Sequence, residues 1–239
     1  MRNRARIILA LLLLSSSMQA EEVYATFSVQ ADKSANLAFT SSGIVGSISV
    51  DVASVVKKGD ILAQLQNSDL KAALNIANTS LKYEKKEYDR QLKVKHLLDA
   101  SRLDGYAFKY ENAKAQMEYQ QALFDKTILK SPFDGVIYEK SVEVGDVVSG
   151  AMIRTIFKIQ SLHKRKLILG FDQKYWSKIK AGQTFKYGVD GDSKMYRGAI
   201  SKVYPYADSG NRKIKAEVEA KGFTPGLFGE GYILIDEKK

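Results

Sequence analysis

The sequence predicts a mostly β chain with an inserted α-helical hairpin, followed by a small antiparallel β-barrel. Three observations predict it. Two stretches, residues 43–62 and 135–153, repeat one another at a constant offset of 92 residues. Between them lies a segment poor in Gly and Pro whose apolar residues recur seven apart. From residue 156 onward, short β-branched and aromatic runs alternate with turn residues. One β-unit made of two half-motifs, with the intervening segment hung from it, accounts for the first two; the barrel accounts for the third.

Taken in order, the chain opens with Arg2, Arg4 and Arg6, an apolar run over 7–14, and the small-residue tail Ser15-Ser-Ser-Met-Gln-Ala20. That is the plan of a secretory signal peptide over residues 1–20. The run is far shorter than the roughly 20 residues a membrane-spanning helix needs. Cleavage is expected after Ala20 or after Ala25, the alternative being an uncleaved inner-membrane tether. The chain has no cysteine, which excludes a disulfide framework and a lipid-modified cysteine. Export to a periplasm is the expectation.

Strands are expected at 23–29 and 36–40, and the amino-terminal segment 23–35 is a candidate member of the later barrel. The first half-motif then sets Gly43 against Gly135 of the second, Val45 against Ile137, Val50 and Val52 against Val142 and Val144, Val55 and Val56 against Val147 and Val148. Short β-branched runs broken by Gly and Asp read as strands. A repeat seen only twice is no solenoid. This split unit covers 36–66 and 127–155.

At Asn67-Ser68-Asp69, all helix-capping residue types, the period changes. Leu74, Leu81 and Tyr88 fall seven apart; Leu103, Tyr110, Met117 and Phe124 repeat the spacing in a second run. Residues 67–126 read as an antiparallel hairpin with a narrow coiled-coil seam, turning near 99–102. Its arms would reach on the order of 40 Å at 1.5 Å per residue. Gly105 is a weak point, costing about 1 kcal/mol relative to Ala. Ser131-Pro132 ends the segment, because proline lacks a donor and restricts the residue before it.

Beyond it, strands are expected at 156–159, 166–171, 185–189, 197–204, 213–220 and 231–235, with a short helix at 173–179. Turns stand at Asp190-Gly-Asp192, Asp208-Ser-Gly210 and Pro225-Gly226. Residues 156–236 therefore read as the barrel.

The formal net charge is +10, of which three charges sit on the leader arginines; residues 158–239 carry 17 basic against 9 acidic side chains. Such an excess favours anionic lipid headgroups, an acidic partner or nucleic acid, or is a set of solvated lysines. The export signal puts nucleic acid last. Catalytic, cofactor and metal sites are not expected. His96 and His163 fall in different segments without acidic partners at ligand spacing. No Gly-rich phosphate loop or nucleophile elbow occurs, and the five methionines are scattered.

With these pieces in hand, the chain resembles the periplasmic adaptor, or membrane fusion, proteins of bacterial tripartite efflux pumps, the RND-type/HlyD-like family. Four features carry the resemblance: the split halves, which look like biotinyl/lipoyl domains, around a hairpin; Leu129-Lys-Ser-Pro-Phe-Asp-Gly-Val136; the downstream barrel; and Pro225-Gly226-Leu-Phe228. The resemblance implies a non-catalytic, periplasmic scaffold at the inner membrane. It would form a ring, commonly of six subunits, and join an inner-membrane transporter to a TolC-type outer-membrane channel for efflux of drugs and other small molecules. It also implies a tip motif: Arg90, Val94 and Ser101 stand at the spacing of channel-contacting residues, with Val where Leu is usual. In that reading Arg90 bonds channel carbonyls, Val94 packs between tips, and Ser101 caps the returning helix.

Many such adaptors add a membrane-proximal domain after the barrel, whereas this sequence ends at Lys239, which leaves the docking mode open. A resistance-nodulation-division transporter is the first expectation and an ATP-driven exporter the second. A type I secretion adaptor is disfavoured by the short apolar run. A biotin or lipoate carrier is disfavoured because the hairpin occupies the turn where the modified lysine would stand.

Overall fold

The computed structural model describes residues 21–97 and 99–235. The expected leader over 1–20 lies outside them. In chain order the elements are β1 (Glu21–Ala31), β2 (Ser34–Leu37), β3 (Gly43–Ile48), β4 (Val55–Val56), β5 (Ile61–Leu65), α1 (Ser68–Lys93), α2 (Ala100–Asp125), β6 (Ile128–Lys130), β7 (Gly135–Lys140) and β8 (Val147–Val148). There follow β9 (Phe157–Ser161), β10 (Lys164–Asp172), β11 (Thr184–Val189), β12 (Met195–Asp208), β13 (Lys213–Lys221) and β14 (Phe228–Ile235). Mostly β with an inserted helical pair is the class observed.

The chain divides into two compact units. One, residues 33–162, is a sandwich of two four-stranded sheets, ordered β2-β9-β7-β4 and β6-β5-β3-β8, with the helices between β5 and β6. Its core is Phe39, Val45, Val56, Leu62, Leu65, Ile137, Ile156, Phe157 and Ile159 with their smaller neighbours.

The 92-residue repeat has a geometric meaning here. Each half gives its long strand to one sheet and its short strand to the other. Gly43 and Ile44 of β3 face Val148 and Val147 of β8; Gly135 and Val136 of β7 face Val56 and Val55 of β4. Shifting one set by 92 produces the other. The turns obey the same operation. Ala53 N–H donates to Ile137 O at 2.8 Å and Gly145 N–H to Val45 O at 2.9 Å, while Ile137 N–H returns to Ser54 O and Val45 N–H to Asp146 O. The two halves are thus interlocked about a pseudo-twofold axis, each completing the other's sheet.

The second unit takes residues 21–32 and 163–235. Its six strands close as β1-β10-β13-β12-β11-β14, with β14 returning to β1. Strict alternation on β1 buries Val23, Ala25, Phe27, Val29 and Ala31, the period-2 signature of one wall facing a core. Phe27 meets Phe185 and Tyr187 edge-on at 5.9 and 5.4 Å. The rings fit because β14 turns Gly229 and Gly231 inward; a side chain at Gly231 would collide with the Lys186 carbonyl.

Two sequence expectations change. The strand expected at 156–159 in the barrel is β9, which pairs with β2 and β7 in the sandwich; strand propensity says nothing about which sheet receives a strand. In its place the barrel takes β1, from the amino-terminal segment named above as a candidate member. The helix expected at 173–179 is a single 3₁₀ turn, Gln173–Tyr175, headed by the Asp172 carboxylate accepting from Lys174 N–H. Its last apolar residue, Ile179, is drawn into the barrel core instead.

Candidate functional site

The site begins where the hairpin leaves the sandwich. Asn67 does not cap α1 with its side chain; its Nδ2 crosses to Thr127 Oγ1 at 2.9 Å. Thr127 is buried, and its hydroxyl donates to Phe124 O while its carbonyl accepts from Leu65 N–H. One threonine therefore clips both arms to β5.

Outward from this clip the helices pack on each other along the expected seam. Leu74, Ala77 and Ala113 are buried, and Leu81, Leu103, Met117 and Phe124 are half-buried. Tyr88 stacks on Tyr110 at 5.6 Å. Apart from Tyr106, the second seam position of each heptad is small or polar (Ala77, Glu84, Gln91; Ala113, Gln120), so the arms hold together with little apolar area. On the outer faces Ile76, Tyr83, Phe108 and Tyr119 are all exposed.

The tip differs from expectation. α1 stops at Lys93; Val94 is its C-cap, with its N–H to Gln91 O and Leu92 O, and a 3₁₀ turn Lys95–Leu97 follows. The first helix thus ends at Lys93 and the second begins at Ala100, so the turn comes earlier than the expected 99–102. Asp99, not Ser101, caps the returning helix: its Oδ1 accepts from Arg102 N–H at 2.8 Å. Ser101 is already inside the first turn of α2, exposed. A carboxylate at that position satisfies an orphan donor and complements the positive end of the helix dipole. The run Asp99-Ala-Ser-Arg102 holds two capping residue types, and only the backbone decides between them.

Arg90 sits in the last turn of α1, bonded to the Glu87 carboxylate. That contact first, and Gln91 Nε2 second at 2.7 Å, hold the Glu87 carboxyl below the usual range. One guanidinium edge is steadied on its own helix while the rest of the group stays exposed, with further donors for a carbonyl-rich partner. Val94 is exposed, and Leu97 is 74% exposed. Leu97 is the tip residue sequence reasoning passed over; three apolar residues in Val94-Lys-His-Leu97-Leu98 were the available signal. The structure thus places Arg90 and Val94 at the end of one arm and Ser101 at the start of the other. His96 belongs to the tip turn and His163 to the other unit. Among the described residues no three His, Asp or Glu side chains come together as metal ligands, and no helix is long and apolar enough to cross a membrane.

Comparison with known proteins bears on this arrangement. The family model of the CzcB-like barrel-sandwich hybrid domain matches residues 33–160. The cobalt-zinc-cadmium resistance protein CzcB of Cupriavidus metallidurans is 24% identical over 219 residues, taking in 82% of this chain and 42% of that protein. The chain thus spans under half the length of this curated relative. Among solved structures, a MacA-MexA chimeric protein containing the Pseudomonas aeruginosa MexA α-hairpin domain is similar over 91% of this chain and 83% of its own, with a TM-score of 0.82 and 22% identity. A putative efflux transporter from Bacteroides eggerthii covers 91% of this chain and 70% of its own, with a TM-score of 0.68 and 18% identity. At such identities these likenesses speak to the fold.

Proposed function

The chain belongs to the family of CzcB-like barrel-sandwich hybrid proteins, the membrane fusion proteins of efflux pumps, and from that premise we propose that it is the periplasmic adaptor of a tripartite pump. In this reading it joins an inner-membrane transporter, of the resistance-nodulation-division type, to a TolC-type outer-membrane channel. One observation carries the proposal: two nearly self-contained helices, clipped at their base by Thr127, project an exposed Arg90, Val94 and Leu97 at the far end. A helical pair with so little seam and so much exposed apolar surface is suited to burying that surface against other molecules.

The tip has the chemistry of a channel contact: Arg90 offers donors to backbone carbonyls, Val94 and Leu97 offer apolar area, and Ser101 offers a hydroxyl beside them. The stripes at Ile76 and Tyr83 and at Phe108 and Tyr119 support self-association as a ring, with neighbouring arms side by side. The cargo class is set by the transporter; the relative's name adds cobalt, zinc and cadmium to the small organic molecules to be tried.

The test is Arg90→Asp and Ser101→Arg in a strain that depends on the pump. Both variants should keep wild-type circular dichroism and abundance, since both positions are exposed, yet lose tolerance to the exported compounds or cations. Normal tolerance in both would remove the tip from the mechanism.

A further inference from the structure

The barrel unit carries a surface that neither its core nor the hairpin explains. The 3₁₀ turn after β10 and the far end of β12 frame a cavity of about 720 Å³ lined by Trp176, Tyr204, Pro205, Tyr206 and Ile214. Its aromatics are not sheltered: Trp176 is 70% exposed, Tyr206 69% and Tyr204 38%. Tyr204 leads out of it, its hydroxyl donating to Glu217 Oε1 at 2.6 Å. Glu217 in turn is attended by Lys166 and Lys202 at 3.9 and 3.6 Å. Those lysines line a second groove of the same unit, about 540 Å³, in which six Lys and Arg side chains stand against three carboxylates.

We infer that this face of the barrel lies on a bilayer, its aromatics seated among the headgroups and its cationic flank on anionic lipid. Tryptophan and tyrosine have an apolar body and a polar tip, which fits the headgroup layer better than either water or a dry protein core. Each Lys or Arg close to an anionic leaflet adds to the attraction. The basic excess of residues 158–239 thereby acquires one occupant out of the several that sequence alone allows. The inference deepens, and rests on, the proposed placement at the inner membrane, and it supplies a way to lie there without a spanning helix in the described residues.

Trp176 is the only tryptophan of the chain, so its fluorescence reports this face even if the amino-terminal apolar run also enters the bilayer. The purified full chain is mixed with vesicles of phosphatidylcholine alone or with about one third phosphatidylglycerol, and with brominated versions of each. The expected result is a blue shift and bromine quenching of Trp176 in anionic vesicles, with partition about ten-fold weaker in neutral ones. Arg197→Glu with Lys202→Glu should lower the anionic partition by about ten-fold or more while leaving lipid-free emission unchanged. Tyr206→Ser should weaken quenching without changing the charge. Emission that ignores anionic vesicles overturns the inference, as does an equal shift with soluble glycerol phosphate, which would mark an anion pocket instead. The assay contains no pump partner, so its failure would leave the tip reading standing, and the tip variants would leave this one standing.

Discussion

Ala53 and Gly145 occupy the same place in the two halves of the sandwich, 92 residues apart, and both have positive φ, +69° and +97°. Only glycine adopts that conformation without cost, and an alanine Cβ held there is strained by about 1 kcal/mol. A Cβ at Gly145 would meet nothing within 4 Å, so the backbone alone decides the outcome. Ala53→Gly should raise the free energy of unfolding by about 0.5 to 1 kcal/mol, and Gly145→Ala should lower it by about 1 kcal/mol, in urea titrations followed by circular dichroism. Opposite signs at symmetry-related sites would be the mark of the shared turn. At this scale the sequence was readable where side chains face a core: Val45 and Ile137, matched from the repeat alone, are both fully buried. It was not readable at the tip, where Asp99 and Ser101 are equally good caps and a difference of two residues in where the helix starts picks one.

Among the elements, the hairpin is the most exposed to a test of its own. Its period of seven was visible in Leu74, Leu81 and Tyr88 and in Tyr110, Met117 and Phe124, and the Tyr88–Tyr110 stack shows the two series meeting. Gly105 interrupts α2 with an open position on its Cα, where an added methyl has no neighbour within 4 Å. Gly105→Ala should therefore stabilise the arm by about 1 kcal/mol, seen as slower amide exchange along α2 and unchanged exchange in the barrel. Slower exchange everywhere would mean that the arms unfold only together with the rest. Membership of strands in sheets was the poorly readable part. β9 and β10 follow one another almost without a break, yet β9 pairs with β2 and β7, and β10 with β1 and β13. Alternation predicts a strand and is silent about its partner; β2 and β1 lie more than a hundred positions before the strands they pair with.

For the whole molecule, β1 favours Ala20 over Ala25 as the processing site if the expected leader is cleaved. Val23 and Ala25 are buried in the barrel and their strand pairs with both β10 and β14. Cleavage after Ala25 would strip half of that strand from a closed barrel, leaving β14 without most of its partner. The intact mass of the mature protein should thus fit a first residue of Glu21; a first residue of Thr26 would mean that the barrel closes some other way, and the full mass would mean an uncleaved tether. The account as a whole rests on a pseudo-twofold sandwich that holds two helices out to a distant contact. Its most direct test is a photo-crosslinking residue placed at Leu97 in living cells, with a second at Tyr232 of the barrel as control. The account predicts that Leu97 forms an adduct with an outer-membrane channel protein and that Tyr232 does not. A working pump whose Leu97 position never crosslinks to a channel would contradict it.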